Sequence, residues 1–187
     1  MATDLWLIRH APAATGGRLA GRRDVPLAPC DTGAMARAGT ALGLPRRVIC
    51  SPAQRCRDTA SRLFPGLAAE TDPRLWEQDF GDWDGAEPAD LPDLGPLPRA
   101  ALARHAPPRG ESFADLVTRC APALLALGGA PGPVAIVAHA GTVRAALSLA
   151  MGCTDAGLAF AVAPLSLTRL TLLPGGLWSV GAVNLPL

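Results

Sequence analysis

The chain has 187 residues, enough for one domain that buries most of the surface exposed by its unfolded form. Its 49% hydrophobic content excludes a disordered chain, and no apolar run is long enough to cross a bilayer. A formal net charge of +1 gives no general attraction for nucleic acid or an anionic membrane, so any anion must be bound by local groups.

The N-terminal residues and the cysteines indicate the expected compartment. The N-terminus lacks a basic-then-apolar export signal, and the five cysteines form no C-x-x-C pair. An odd number of cysteines also disfavours a disulfide framework. We therefore expect a cytoplasmic protein whose cysteines are ordinary small core residues, and the sequence gives no indication of its oligomeric state.

The first part of the chain alternates between strand-like and helix-like patterns. Four large apolar residues favour a buried strand close to the N-terminus. The predicted elements here are, in chain order, a strand at 5–8, a helix at 32–42 with Asp31 at its N-terminal cap, a strand at 46–51, and a helix through Leu63 with Pro52 in its first turn.

Residues 84–110 are crowded with proline and predict an irregular excursion that acts as a cap or lid, with at most a short helix near 99–104. The elements predicted after it are a helix within 111–129, a buried strand at 133–138, a helix at 142–151, and two strands that flank Pro174 to Gly176 as a hairpin. Together these patterns predict one α/β domain over 1–187. Its expected fold is a three-layer α/β/α sandwich with a mostly parallel sheet and an antiparallel edge.

Two of the predicted strands run directly into a histidine. Arg9 and His10 follow the first strand, and His139 follows the strand at 133–138, with Gly141 at the start of the next helix. In open α/β sheets the ligand crevice lies beyond the carboxyl ends of the strands, so these side chains are expected to share one cleft. Arg55, one turn into the helix after a third strand, adds a planar guanidinium. Guanidinium groups and free amides at helix starts bind anions, and the cleft is therefore predicted to bind phosphate.

Each of these signals has a simpler interpretation when taken alone. A lone histidine after a strand is more often a hydrogen-bonded core residue, and a lone arginine often pairs with a surface carboxylate. Zinc binding by His10 and His139 would need further ligands, but His105 lies in the proline-rich excursion and no H-x-x-x-H or H-x-E spacing occurs. We expect no metal and no cofactor.

The ordered set of motifs resembles the histidine phosphatase superfamily, also called the phosphoglycerate-mutase-like proteins or branch-one acid phosphatases. The family signature L-x-R-H-G corresponds to "LWLIRHA" in this chain. The resemblance continues through "GRRDVPLA" (21–28), "SPAQRCRDTA" (51–60), "LWEQDFGDWDG" (75–85), "GES" (110–112) and "AHAGTVRAAL" (138–147).

The chain departs from the family pattern in the loop after the signature. Ala11 replaces the usual glycine, Pro12 replaces an acidic residue, and Gly16 stands where many members carry asparagine. None of these positions supplies a group with a direct chemical role. The departures concern the conformation of the loop and one contact to phosphate.

The resemblance implies phosphoryl transfer without a metal. A neutral imidazole is a suitable nucleophile, and His10 is expected to attack phosphorus. The phosphate oxygens are expected to be bound by Arg9, Arg55, Gly141, Thr142 and, in its protonated form, His139.

The resemblance also points to the general acid. Glu77 is expected to protonate the leaving alkoxide and then to deprotonate the water that hydrolyses the phosphohistidine. A dianionic phosphate beside Glu77 would raise its pKa by like-charge repulsion. Asp82 is the second choice for this role.

Among compact members with "GRxDxPL" and "DFGDWxG", the chain looks most like the alpha-ribazole phosphatases of cobalamin synthesis. The expected function is a phosphatase for a small phosphate monoester, alpha-ribazole 5′-phosphate, with Arg22, Leu91 and Leu94 at the substrate rim. Two alternatives remain open. One is a module that binds phosphate or phosphoprotein without turnover, and the other is a phosphoglycerate-type mutase.

Overall fold

The computed structural model describes all residues from 1 to 187. Six strands and five α-helices follow one another, joined by loops and short 3-10 turns. In chain order they are β1 (Thr3–Arg9), α1 (Thr32–Leu42), β2 (Arg47–Cys50), α2 (Gln54–Leu63), β3 (Ala69–Thr71), α3 (Arg99–Arg104), α4 (Phe113–Leu125), β4 (Val134–Ala138), α5 (Ala140–Met151), β5 (Ser166–Leu172) and β6 (Trp178–Pro186).

The strands form one sheet in the order β3-β2-β4-β1-β5-β6. The first four strands of this order are parallel, whereas β5 and β6 form an antiparallel hairpin at the edge, as the sequence predicts. Val137 of β4 is level with Ile8 of β1 and with Cys50 of β2. The three central strands therefore end at one edge of the sheet. The segment that follows each strand contains residues of the candidate site.

Helices cover both faces of the sheet. Leu5 and Leu7 of β1 pack into a core that includes α4 and α5, and Trp6 and Ile8 pack on the other face, in a core with α1 and α2. This alternation follows from the two-residue period of a strand. The predicted three-layer α/β/α sandwich is confirmed.

Two of the helices begin at side-chain caps. The Asp31 carboxylate accepts a hydrogen bond from the amide of Ala34 at the start of α1. At the start of α4, Ser112 and Asp115 form a reciprocal capping box. A side chain at Gly39 would approach the carbonyl oxygen of Leu63 at 1.8 Å, so glycine at this position allows α1 and α2 to pack closely.

One local prediction was wrong, and one strand was not predicted. Pro52 lies in a bend before α2, which begins at Gln54, because the Gln54 amide donates to the Asp24 carboxylate from a distant loop at 2.7 Å. The sequence also gave no indication of β3, because three residues are too few to show an alternating pattern.

The proline-rich excursion over 84–110 is irregular apart from one 3-10 turn and α3, which lies where the short helix was predicted. The rings of Trp83 and His105 stack with their centroids 5.6 Å apart, so the two ends of the excursion are in contact. Its role as a cap stays a prediction. No helix in the chain combines the length and the apolar character that a membrane span requires.

Candidate active site

His10 lies directly after β1, and its amide donates to the carbonyl of Ala138 at the end of β4. Its Nδ1 lies 2.7 Å from the carbonyl oxygen of Ala11. Because a carbonyl can only accept, Nδ1 carries the proton and Nε2 keeps its lone pair. Burial lowers the pKa of His10 to about 4, although the bond to Ala11 opposes this shift. His10 is therefore a neutral imidazole near neutral pH, and its ring lines a cleft.

The rings of His139 and His10 are in edge-to-face contact, with their centroids 5.2 Å apart. His139 is fully buried, and its Nε2 is 2.8 Å from the hydroxyl oxygen of Ser51. Burial and the nearby Arg55 charge hold the pKa of His139 well below its usual value. The structure therefore disfavours the protonated His139 expected from the sequence, because burial and the neighbouring arginines both oppose a positive charge there.

Arg9 and Arg55 bring two guanidinium groups to the cleft. Arg9 donates from Nη1 to the carbonyl of Val162 at 2.6 Å, while its buried Nε has no hydrogen-bond partner. Arg55 is 1% exposed and donates to the carbonyls of Arg23 and Gly21, each at 2.9 Å. Neither residue forms a salt bridge with a carboxylate, so both charges are available to an anion.

Glu77 also lines the cleft, where it is held by backbone amides. Its carboxylate accepts hydrogen bonds from the amides of Gln78 at 3.0 Å and Gly141 at 3.1 Å. A side chain at Gly141 would lie 2.1 Å from Glu77 Oε1, so this contact requires glycine. Burial raises the pKa of Glu77 despite the amides and the arginines that oppose the shift. A raised pKa suits a carboxyl that must donate a proton.

The nearby aspartates serve the loops instead. Asp82 forms an ion pair with the Arg109 guanidinium and does not line the cleft. Asp84 accepts hydrogen bonds from three consecutive amides, those of residues 21–23, at 2.8 to 3.0 Å. Because Arg55 binds carbonyls of the same loop, Asp84 helps to fix that arginine. Among the acidic residues, only Glu77 lines the cleft.

Three predicted contact residues have other partners. The Gly141 amide is bound to Glu77, as described above, and the buried Thr142 hydroxyl donates to the carbonyl of Leu75 at 3.2 Å. The Arg22 guanidinium lies 5.7 Å from the ring centroid of Trp76 and 3.9 Å from the Glu111 carboxylate. Of these three, only Gly141 lines the cleft, so the proposed phosphate contact of Thr142 and the rim position of Arg22 are not seen here.

The departures of the loop after His10 cause no backbone strain at Ala11. This residue does not adopt a positive φ, and its amide donates to the Thr59 hydroxyl at 3.0 Å. Gly16 does adopt a positive φ of 63°, which favours glycine at that position.

Two further arginines of the cleft were not predicted from the sequence. Arg144 lies on α5 one turn after Gly141, and Arg18 lies on the loop after β1. Arg18 forms a 2.6 Å ion pair with Glu87, whereas Arg144 forms no ion pair and donates from Nε to the Phe160 carbonyl at 3.0 Å. The helical spacing from Gly141 was the signal that could have identified Arg144.

The cleft has a volume of about 320 Å³ and continues into an apolar compartment of about 260 Å³. The two cavities share five lining residues, which are Leu19, Gln78, Phe80, Phe113 and Leu158. The remaining walls of the apolar compartment come from Trp83, Leu91, Leu94, Leu102, His105 and Pro107. Leu91 and Leu94, which were expected at the substrate rim, thus lie beside the cleft, and their contact with a substrate stays a prediction.

No group of three or more histidine, cysteine or acidic side chains is arranged to hold a metal ion. The chemistry available to the cleft therefore consists of a neutral imidazole, guanidinium groups and one carboxyl with a raised pKa.

Comparisons with known proteins agree with this geometry. The model of the histidine phosphatase superfamily (branch 1) matches residues 5–185. Glucosyl-3-phosphoglycerate phosphatase of Mycobacterium tuberculosis is 34% identical over 166 residues, which cover 79% of this chain and 74% of that protein.

Solved structures show the same architecture. The native structure of mycobacterial glucosyl-3-phosphoglycerate phosphatase superposes with a TM-score of 0.85 at 28% identity, covering 99% of this chain and 100% of the other. The structure of a putative alpha-ribazole-5′-P phosphatase from Escherichia coli has a TM-score of 0.83 at 23% identity, covering 98% and 97% of the two chains, and shares the fold.

Proposed function

The chain belongs to branch 1 of the histidine phosphatase superfamily, and we propose that it hydrolyses a small phosphate monoester through a phosphohistidine on His10, without a metal. The observation that carries this proposal is the state of His10. Its Nδ1 proton is bound by the Ala11 carbonyl, and the ring is neutral and lines a cleft with arginines and Glu77.

In the first step, the lone pair of His10 Nε2 attacks phosphorus and the bond from phosphorus to the ester oxygen breaks. Arg9 and Arg55 neutralise the negative charge on the phosphoryl oxygens. Glu77 gives its proton to the departing oxygen, so that the product leaves as a neutral alcohol. His139, in its neutral form, packs against the ring of His10 and helps to hold it in place.

In the second step, the Glu77 carboxylate takes a proton from water. The water oxygen attacks phosphorus, the phosphorus–nitrogen bond breaks, and inorganic phosphate and free His10 are restored. Glu77 ends the cycle protonated again, and a site that raises its pKa favours this form.

Two substrates are supported by different observations. The apolar compartment, with Leu91 and Leu94 in its walls, suits the base of alpha-ribazole 5′-phosphate, which is the substrate expected from the motifs. Similarity to the mycobacterial enzymes supports a glucosyl-3-phosphoglycerate instead. The five cysteines are free thiols, and a reducing cytoplasm is the compartment that we propose for the reaction.

The test is to trap the phosphoenzyme. After brief incubation with labelled p-nitrophenyl phosphate and an alkaline quench, we expect acid-labile label on His10. The His10→Ala variant should carry no label and should lose nearly all turnover, and the activity of the unaltered protein should survive exhaustive treatment with EDTA.

Other outcomes would contradict the proposal in identifiable ways. Label on Ser51, or label retained by His10→Ala, would reject His10 as the nucleophile. Tight phosphate binding without turnover would identify a binding module, and isomerisation of phosphoglycerate faster than its hydrolysis would identify a mutase. Loss of activity in EDTA with recovery on adding a divalent ion would reject the metal-free mechanism.

A further inference from the structure

Arg144 is a cleft arginine that has no role in the proposed chemistry and, unlike Arg18, forms no ion pair. It lies on α5 three residues after Gly141, and the packing around it fixes its position. Its Nε donates to the Phe160 carbonyl, and a side chain at Gly157 would lie 2.0 Å from the Arg144 carbonyl oxygen. The 3-10 segment at 156–159 is therefore packed directly against this turn of α5.

Arg144 lines the cleft and is hydrogen-bonded to a segment that also reaches the apolar compartment. Leu158, two residues before the carbonyl that binds Arg144, lines both cavities. Phosphorus must lie at His10, so a group near the junction of the two cavities belongs to the leaving alcohol. Arg144 lies on α5, whereas the backbone-anchored Arg55 lies on α2, on the other face of the sheet.

One positive charge of the cleft has no negative partner when a phosphate monoester is bound. Arg9, Arg55 and Arg144 form no salt bridge, whereas the charge of Arg18 is matched by Glu87. When Glu77 is protonated for the first step, three guanidinium groups face a phosphate monoester that carries about two negative charges near neutral pH. Burial lowers the pKa of Arg9, and the charge of Arg144 contributes to the same shift, so the two cations are close enough to repel each other.

We propose that Arg144 is a specificity-determining residue that binds a carboxylate on the alcohol part of the substrate, which makes the preferred substrate a phosphate monoester of a hydroxy acid. The proposal rests on the phosphatase function proposed above. A guanidinium binds a carboxylate through two parallel hydrogen bonds, and this contact neutralises the remaining charge. It favours a phosphoglycerate-type substrate over a nucleoside-like monophosphate, whose phosphate is its only anionic group.

The experiment compares two substrates that differ in one group. 3-Phosphoglycerate carries a carboxylate where glycerol 3-phosphate carries a hydroxymethyl group, and the phosphate ester is the same in both. We expect the unaltered protein to have a kcat/KM for 3-phosphoglycerate roughly 10- to 100-fold higher than for glycerol 3-phosphate, the range of a charge-assisted contact. The Arg144→Met variant should bring this ratio close to one, and Arg144→Lys should give an intermediate ratio because it keeps the charge but loses the planar fork.

Arg18→Gln is the matched control, because it also removes a positive charge from the cleft but removes one that is already paired. Its ratio should stay within about threefold of the original. A ratio near one in the unaltered protein would overturn the proposal. So would an Arg144→Met variant that loses activity equally on both substrates, because Arg144 would then bind the phosphate itself.

The phosphatase function has a separate readout in the same samples. Phosphohistidine formed from p-nitrophenyl phosphate, which has no carboxylate, shows whether the His10 chemistry works. If Arg144→Met does not fold, the ratio measured with Arg144→Lys decides the proposal.

Discussion

The cleft and the apolar compartment beside it are built in different ways, although they share five wall residues. Arg9, His10 and Arg55 lie at the ends of strands or the start of a helix, whereas Glu77 lies in a loop and is held by backbone amides. The compartment takes its separate walls from 83–107, which holds only short helices. Backbone hydrogen bonds of the sheet position the nucleophile of the first region, whereas the second depends on side-chain packing between loops.

This difference indicates which region controls the reaction and which region controls the choice of substrate. Strand ends set the reaction, because the nucleophile and the cations must be placed within fractions of an ångström. Loops set the choice of substrate, because they can change without disturbing the sheet. Changes at His10, Arg9 and Arg55 should therefore affect every substrate, whereas changes in the compartment should affect the ratio between substrates.

The largest effect in this comparison is expected for Glu77→Gln. Glutamine keeps an oxygen for the Gln78 and Gly141 amides but cannot supply the proton, so hydrolysis of alkyl phosphates should slow by about 10²- to 10⁴-fold. p-Nitrophenyl phosphate needs little protonation of its leaving group, and its first step should suffer much less. Rapid-quench measurements should show phosphohistidine accumulating in this variant.

The pH profile of kcat/KM provides the control for Glu77. In the unaltered protein kcat/KM should rise as pH increases through about 4, because His10 then loses its proton. It should fall again as pH passes the raised pKa of Glu77, because the acid is lost. The falling limb should disappear in Glu77→Gln. Equal losses of kcat/KM on alkyl and aryl phosphates, with an unchanged pH profile, would show that Glu77 has only a structural role.

A smaller effect is expected for Asp84→Ala, which tests how separate the two regions are. Asp84 belongs to the excursion and does not line either cavity, but it holds the loop whose carbonyls bind Arg55. Its loss should lower kcat/KM on the order of tenfold for all substrates alike, because Arg55 becomes less well positioned.

Asp82→Ala is the matched control for Asp84, since Asp82 pairs with the exposed Arg109 and does not hold that loop. It should leave kcat/KM nearly unchanged. If Asp84→Ala changed the ratio between substrates instead of lowering all rates, the excursion would act only on selectivity.

The smallest effect is expected for Leu94→Asp in the apolar compartment. A charge there should disfavour large aryl groups, so the preference for 1-naphthyl phosphate over phenyl phosphate should fall by roughly fivefold, a modest part of what one apolar contact can contribute. Steady-state kinetics on both esters measure this ratio. An equal fall on both esters would show that the compartment supports the cleft and does not select the leaving group.

The same difference explains what could be predicted from the sequence. Arg9, His10 and His139 follow apolar strands of a parallel sheet, so their meeting at one edge follows from local patterns and a general rule of topology. Glu77 needed the family resemblance, because nothing in its neighbourhood distinguishes it from the aspartates that follow.

Contacts between distant loops could not be predicted. The pairing of Arg22 with Trp76 and Glu111, and the support of the 21–23 loop by Asp84, depend on how the loops fold over one another. Hydrophobic periodicity carries no information about such contacts, because these loops contain no repeating pattern.

The close contact between Gly141 and Glu77 constrains how this protein can evolve. Any side chain at 141 would collide with the carboxylate, so a single mutation there would displace the acid before a replacement existed. The acid therefore constrains the glycine, because residue 141 can gain a side chain only if the carboxylate moves. Descendants of this chain that keep the acid in its present place should also keep the glycine, even where the surrounding loops have diverged.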